Sequence, residues 1–329
     1  MKIFKNVFYT LVAAAVTAVG FAGAAMAQER WDMPVSYPAK LYVIQNYIDF
    51  AERVTERAAG KFEIVVHPAG TLFKGDEIIR AVRSGQVPIG ARGLALHAND
   101  EPMWGMEQIP FLVTSIDEAR AFYDTTRPIL DETMAKRGLT ILYTTLWPPQ
   151  GMFTKGAISG PEDLKGFKMR TFDATSSEIA QMAGMTPTKL ELTELPQALS
   201  TGVVEGTFGS GSAGISAKLW DYLDHYYTLN TAIPKSFVFV NTEAWNALDE
   251  GIQKIILEEA AAAEHRAWSA MQEQTDGHTK TLTENGMIVE EPSDALKAHF
   301  KQIGEVMTEK WVKENGDAGR AMYDAYKNR

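Results

Sequence analysis

Residues 163–173 read DLKGFKMRTFD. From Phe167 to Phe172 the run alternates as a strand does, with Phe167, Met169 and Thr171 on one face and Lys168, Arg170 and Phe172 on the other. A helix is expected next over 176–183, then a strand near 188–192, a helix over 194–201 and a strand over 203–208. Strands alternating with helices indicate an α/β fold with a parallel, doubly wound sheet. Arg170 sits oddly at the end of such a strand. A buried guanidinium is costly unless an anion meets it, so the stretch raises a chemical question along with a structural one.

The same alternation fills the first half of the chain. A strand is expected over 31–36, with Pro34 marking an edge and Pro38 ending it. Ile44, Tyr47, Ile48, Ala51 and Val54 form a helical stripe within 41–59, stopped at Gly60. Residues 61–67 (KFEIVVH) form a second strand, 76–84 a helix, and 87–91 (VPIGA) a short strand with Arg92 directly after it. Helices over 116–123 and 126–137 precede a strand over 140–146, which Trp147-Pro148-Pro149-Gln150 stops. Residues 236–240 (SFVFV) read as a strand that returns to the first sheet. From Glu250 to about residue 282 the sequence is helix-forming. Roughly 30 residues at 1.5 Å rise make about 45 Å, enough to brace two domains. Helical sequence also fills 294–327.

A chain of 329 residues favours two domains over one. The N-terminus carries Lys2 and Lys5, an apolar stretch and Ala25-Met26-Ala27, the pattern of a secretory signal peptide over 1–27 cleaved after Ala27. No other stretch reaches the roughly 18 consecutive apolar residues of a spanning helix. A protein outside the cytoplasm and not embedded in a membrane is expected. Its formal charge of −10 becomes two units more negative without Lys2 and Lys5. That disfavours nucleic acid and anionic membrane as partners, but a local basic pocket can still hold an anion. The chain has no cysteine, which excludes disulfide and thiol chemistry.

No G-x-S-x-G, Walker loop, H-E-x-x-H or EF-hand loop is present, and the six histidines lack metal-ligand spacing. No cofactor or metal is expected. What remains is a set of unusual residues at expected strand ends: Arg92, Trp147, Gln150, Arg170, Phe172, and Gly209-Ser210 at the start of GSGS. Ligands of open α/β sheets bind beyond the carboxyl ends of strands. An arginine fork suits a carboxylate, and Trp and Phe supply apolar walls. Each has a plainer reading: Arg170 could pair with Asp173 or Glu178, Arg92 could be a solvated turn residue, Trp147 could be core, and the Gly-Ser run a loop.

Nearly the whole mature chain resembles the DctP-type substrate-binding proteins of TRAP (tripartite ATP-independent periplasmic) transporters, most plainly in five stretches, AAGKFEIVVHPAGTL, IIRAVRSGQVPIG, EQIPFL, ISGPEDLKGFKMR and ELPQALSTGVVEG. The resemblance implies a two-domain periplasmic-binding-protein fold with a hinge and a long domain-spanning helix. Domain I would comprise 28–145 plus about 234–266, and domain II 146–233 plus about 267–329. It implies a periplasmic receptor that is not an enzyme, a small organic acid as ligand, Arg170 as the carboxylate clamp, and TRAP membrane permease subunits as partners. Two positions depart from relatives. Gln150 stands near where sialic-acid-binding members have a second arginine, and VEGTF followed by Gly209 replaces VDGQE followed by asparagine. Both point to a less polar ligand or one with a single carboxylate, for which Arg92 could supply a further positive charge. A hydrophobic or aromatic carboxylate is the first expectation, a hydroxy acid or sulfonate the second. An ABC-importer binding protein, a secreted organic-acid enzyme and a sensor subunit are the alternatives.

Overall fold

The computed structural model describes residues 28–328; the expected signal peptide, 1–27, lies outside them. β1 (Glu29–Pro34) leads to α1 (Tyr42–Arg57), which buries Val43, Ile44, Tyr47, Phe50, Ala51 and Val54, the stripe that the periodicity indicates. Ala59 (φ 48) and Gly60 (φ 84) take left-handed backbone and end it. β2 (Phe62–His67) pairs parallel with β1 in a two-stranded sheet, so β1 has a free edge, as Pro34 indicates; β3 (Ile89–Arg92), which follows α2 (Ile78–Arg83), lies near β1 but belongs to the three-stranded sheet. α3 (Ile116–Ala135) is one helix rather than the two segments expected. The polar Asp124-Thr125 looks like a break. However, the Thr125 and Thr126 hydroxyls donate to the carbonyls of Ala121 and Phe122, each at 2.8 Å, and the turn continues. Pro128 withdraws one donor without ending the helix. β4 (Leu139–Leu146) closes this half.

The second half opens with β5 (Gln150–Thr154), which starts directly after the proline pair where no strand was expected. β6 (Lys168–Thr171), α4 (Ala174–Met182), β7 (Thr186–Lys189), α5 (Leu195–Ser200), β8 (Gly206–Ser210) and α6 (Gly211–Ala217) follow the expected alternation. β9 (His225–Tyr227) precedes the return strand β10 (Lys235–Asn241) and α7 (Thr242–Ala247). α8 (Glu250–Ser269) and α9 (Met271–Glu284) meet at Ala270, then come β11 (Ile288–Glu290), α10 (Asp294–Glu314) and α11 (Gly316–Lys327).

The sheets are mixed, which corrects the expectation of parallel strands throughout. β10 inserts between β3 and β4 and runs antiparallel to both. The six-stranded sheet has the order β11-β9-β5-β8-β6-β7, with β5 antiparallel to β8 and β9 and the remaining pairs parallel. Two short crossings join the sheets, β4 to β5 and β9 to β10. They run side by side: Trp147 N donates to Pro234 O at 2.9 Å, Gln150 N to Ala232 O at 2.9 Å and Thr231 N to Gln150 O at 3.0 Å.

The long helical run does pass between the halves. α8 packs on α1 and β4, with Asn46 Nδ2 donating to Ala263 O at 2.9 Å, and α9 packs on α6 and β11. α11 then comes back to the first half. It lies on α3, where the Phe122 and Tyr326 rings are 5.1 Å apart and Tyr326 donates to Leu112 O at 3.0 Å.

His278 of α9 is packed against Gly211 and lies 6.1 Å, ring to ring, from Tyr42 of α1. Burial pushes its pKa down to about 4. An unfolded histidine takes a proton near pH 6.5, so between pH 6.5 and about 4 the unfolded chain binds the proton that the folded one refuses. Stability is intact above that window and falls as pH drops through it. Thermal melts at pH 7 and pH 5 should show a decrease in Tm that shrinks in His278→Gln. An equal decrease in both proteins contradicts the assignment.

Candidate ligand-binding site

A cleft with about 540 Å³ of space between its atoms lies beside the paired crossings, lined from both sheets. The six-stranded sheet contributes Gln150 at the start of β5, Arg170 near the end of β6, Phe172 just beyond it, and Gly209 and Ser210 at the end of β8. The other side contributes Tyr37, Gly93, Leu96, Gln108, Trp147, Lys235 and Ser236. Six of the seven expected site residues therefore converge. Arg170, Gly209 and Ser210 stand at or near carboxyl ends of strands, as in open α/β sheets, whereas Gln150 and Lys235 open the antiparallel strands β5 and β10.

Arg170 is held by register between Thr188 of β7 and Thr207 of β8. It is 4% exposed, and its Nε donates to Leu190 O at 2.9 Å. Its guanidinium carbon lies 5.4 Å from the centre of the Phe172 ring. Among the described residues it has no ion pair within 4.0 Å and no hydrogen bond at either terminal nitrogen. Burial pulls its pKa down, opposed by Tyr37 and by the carboxylates of Glu191, Asp173 and Glu194. An arginine starts so high that it stays charged. Neither internal partner considered from the sequence pairs with it, although Asp173 Oδ2 is buried without a hydrogen-bond partner. Asp173 caps α4, accepting from Ser176 N at 2.7 Å and from its hydroxyl at 2.5 Å, and burial pushes its pKa up. Glu178 pairs with Lys310 at 2.6 Å.

Trp147 is a fixed wall: its Nε1 donates to Ser236 Oγ at 2.8 Å and its ring lies 4.8 Å from that of Tyr37. Gln150 Nε2 donates to Pro148 O at 2.9 Å, which leaves the side-chain oxygen as the end open to a ligand donor. Gly209 faces Gly151 across β5 and β8. Ser210 caps α6 and shares a 2.9 Å hydrogen bond with Ser212.

Arg92 is the exception. It is absent from the cleft lining and both its terminal nitrogens are already engaged, although its buried Nε has no hydrogen-bond partner. Nη1 donates to Ser36 Oγ at 2.7 Å, and Nη2 lies 3.3 Å from both Asp76 and Glu191. Asp76 in turn pairs with Lys189 at 3.0 Å. Arg92 and Asp76 precede β4 and Lys189 and Glu191 follow β6, so these pairs tie the two sides of the cleft together. Position after a strand drew attention to Arg92, but acids from two distant segments took it. Sequence reasoning missed Tyr37, Gln108 and Lys235. One signal was available: a lone lysine immediately before the apolar SFVFV is costly to bury without a partner. That partner is Glu107, 2.6 Å from Lys235 Nζ.

A model of the DctP family, bacterial extracellular solute-binding protein family 7, matches residues 35–315. Among solved structures, the Bordetella pertussis extracytoplasmic solute receptor DctP7, which binds pyroglutamic acid, is 35% identical, with a TM-score of 0.89 over 91% of this chain and 99% of that one. A marine metagenome TRAP solute binding protein specific for pyroglutamate is likewise 35% identical, with a TM-score of 0.89 over 92% and 99%. Among curated relatives, the C4-dicarboxylate-binding protein DctB of Bacillus subtilis is 24% identical over 268 residues, 80% of this chain and 73% of its own length.

The Arg92 pairs carry a stability prediction. Lys189 is half exposed, so Lys189→Ala should cost less than about 1 kcal/mol in urea unfolding. Arg92 is buried, and Arg92→Ala should cost about 2 kcal/mol or more through lost packing and lost hydrogen bonds. Equal costs for the two substitutions contradict a buried tie at Arg92.

Proposed function

This chain belongs to bacterial extracellular solute-binding protein family 7, the DctP family, and on that premise we propose that it captures pyroglutamate in an Arg170 clamp and delivers it to TRAP membrane subunits. Members of the family are periplasmic receptors for small organic acids, not enzymes. No helix among the described residues is long and apolar enough to cross a membrane, which suits a receptor that meets its permease from outside.

The observation that carries the reading is the state of Arg170. A buried guanidinium held only at Nε, with no counter-ion within 4.0 Å among the described residues, is a site prepared for an anion. A carboxylate there would form two parallel charge-assisted hydrogen bonds. Pyroglutamate has one carboxylate, one lactam N–H and one lactam carbonyl. The Gln150 side-chain oxygen is available to accept from the N–H, and the carbonyl is an acceptor for donors on the Lys235–Ser236 side. Trp147, Tyr37, Leu192 and Phe172 would cover the ring. Gln150 and Gly209, where some relatives have more polar side chains, fit an acid of this modest polarity. The two relatives at 35% identity that bind pyroglutamate support the choice.

In this reading residues 28–145 plus about 234–266, and 146–233 plus about 267–329, form two domains, with the terminal helix α11 of the second resting on α3 of the first. They close on the acid about the paired crossings, expelling water and strengthening each electrostatic contact. Isothermal titration with L-pyroglutamate should show binding by the protein and a loss of at least about 100-fold in Arg170→Ala, since a desolvated carboxylate would then lack its partner. A folded Arg170→Ala protein that keeps full affinity overturns the clamp.

A further inference from the structure

On the side of the cleft that faces Arg170, most hydrogen-bond donors are spent inside the protein. The Lys235 ammonium is turned away from the ligand's space. Its Nζ lies 2.6 Å from Glu107 Oε2 and 4.9 Å from the centre of the Phe122 ring, and Glu107 and Phe122 line a separate cavity with Leu94, Met103 and Trp104. The Lys235 backbone N–H donates to Glu107 Oε1 at 3.2 Å. Trp147 Nε1 donates to Ser236 Oγ at 2.8 Å. The Tyr37 hydroxyl and the Arg170 guanidinium act on each other's charge, which places Tyr37 at the clamp end of the cleft.

Gln108 differs from these. It ends the 3-10 stretch Pro102–Gln108, next to the glutamate that holds Lys235, and is only 7% exposed. Its side-chain amide makes no hydrogen bond among the described residues, yet neither amide atom is sealed from solvent as Lys235 Nζ is. The space onto which Gln108 opens is the cleft, whose lining it joins. A buried amide without a partner costs free energy until one arrives, and here the partner must come from outside the chain. The amide brings N–H donors and no charge. Gln150 has the opposite sense: its Nε2 is spent on Pro148 O at 2.9 Å, and its oxygen remains as an acceptor.

We propose that Gln108 is the specificity-determining residue for the uncharged end of the ligand, its amide N–H donating to the ring carbonyl of an acid whose carboxylate Arg170 holds. The inference deepens the pyroglutamate reading and rests on it. Two glutamines of opposite sense then read one lactam: Gln150 accepts from its N–H and Gln108 donates to its carbonyl. A ring acid without a carbonyl would leave the Gln108 amide buried and unpaired, and it is that loss which gives discrimination. Gln108 belongs to the first half of the chain and Arg170 to the second, so a single acid held by both would bridge the cleft.

The test uses the purified full chain, dialysed free of ligand, and three acids built on the same ring size. L-Pyroglutamate has the N–H and the carbonyl. 3-Oxocyclopentanecarboxylate, in the matching enantiomer, keeps the carbonyl and replaces the N–H by a methylene. Cyclopentanecarboxylate lacks both. Affinities come from isothermal titration, by displacement for the weaker acids. The unaltered protein should bind the oxo acid about tenfold more tightly than the plain ring acid, the effect of one buried hydrogen bond. Gln108→Met, of similar length and without a donor, should bring that ratio down to about one and weaken pyroglutamate about tenfold. Gln108→Leu carries the same test if Gln108→Met fails to fold. A ratio unchanged in the variant overturns the inference and leaves the clamp standing; that includes an equal fall for all three acids, as a plain wall residue or a contact to the carboxylate would give. Equal binding of the two carbocyclic acids by the unaltered protein also overturns it alone. An unaltered protein that does not bind pyroglutamate overturns the reading of the site itself.

Discussion

A positive charge buried at the end of a central strand must be compensated, and at Arg170 the fold leaves the compensation to something outside the chain. Backbone register fixes the residue between β7 and β8, and Leu190 O orients the guanidinium through Nε. The nearby acids serve other groups. Asp173 satisfies the first turn of α4, a capping role whose loss would cost about 1 kcal/mol. Glu191 satisfies Arg92 from across the cleft. Asp173 is bonded through Oδ1 alone, its buried Oδ2 has no hydrogen-bond partner, and neither oxygen pairs with Arg170, so the guanidinium stays open and the cleft around it has a chemical preference before any ligand arrives.

The other parts of the site follow from where the chain crosses between sheets. Trp147 and Gln150 lie on one crossing and its exit, Pro234, Lys235 and Ser236 on the other and its exit, and the two crossings are hydrogen-bonded together. Placing recognition residues on the link itself couples ligand contact to the geometry between the two sides. The Trp147–Ser236 hydrogen bond joins the two exits, and the Tyr37–Trp147 ring contact reaches from one of them to the first half. In a hinged receptor this arrangement would let one small acid influence the whole closure.

Much of this was legible in the sequence where local pattern and burial agree. The α1 stripe, the alternation around Arg170 and the return of SFVFV to the first sheet appear in the structure as periodicity indicates. Strands too short to show a period did not: β9 and β11 have three residues each, and β5 begins against two prolines. Asp124-Thr125 reads as a break because hydroxyls that bond back to the helix look the same in sequence as hydroxyls that face water. Arg92 and Lys235 show the deeper limit. Both are buried basic residues flanking strands, and both are neutralised, by Glu191 about one hundred residues away for Arg92 and by Glu107 for Lys235. Which cation is left free for a ligand depends on partners distant in sequence, and only the resemblance carried by PEDLKG and ELPQALSTGVVEG singled out Arg170.

The central claim is a contact, and a crystal structure of the protein with its acid measures it most directly. Both carboxylate oxygens should lie about 2.7–2.9 Å from the terminal nitrogens of Arg170, with Asp173 still bonded to Ser176. A bound acid whose carboxylate lies beyond ion-pair reach of Arg170, or an Arg170 turned to pair with Asp173, would contradict the account.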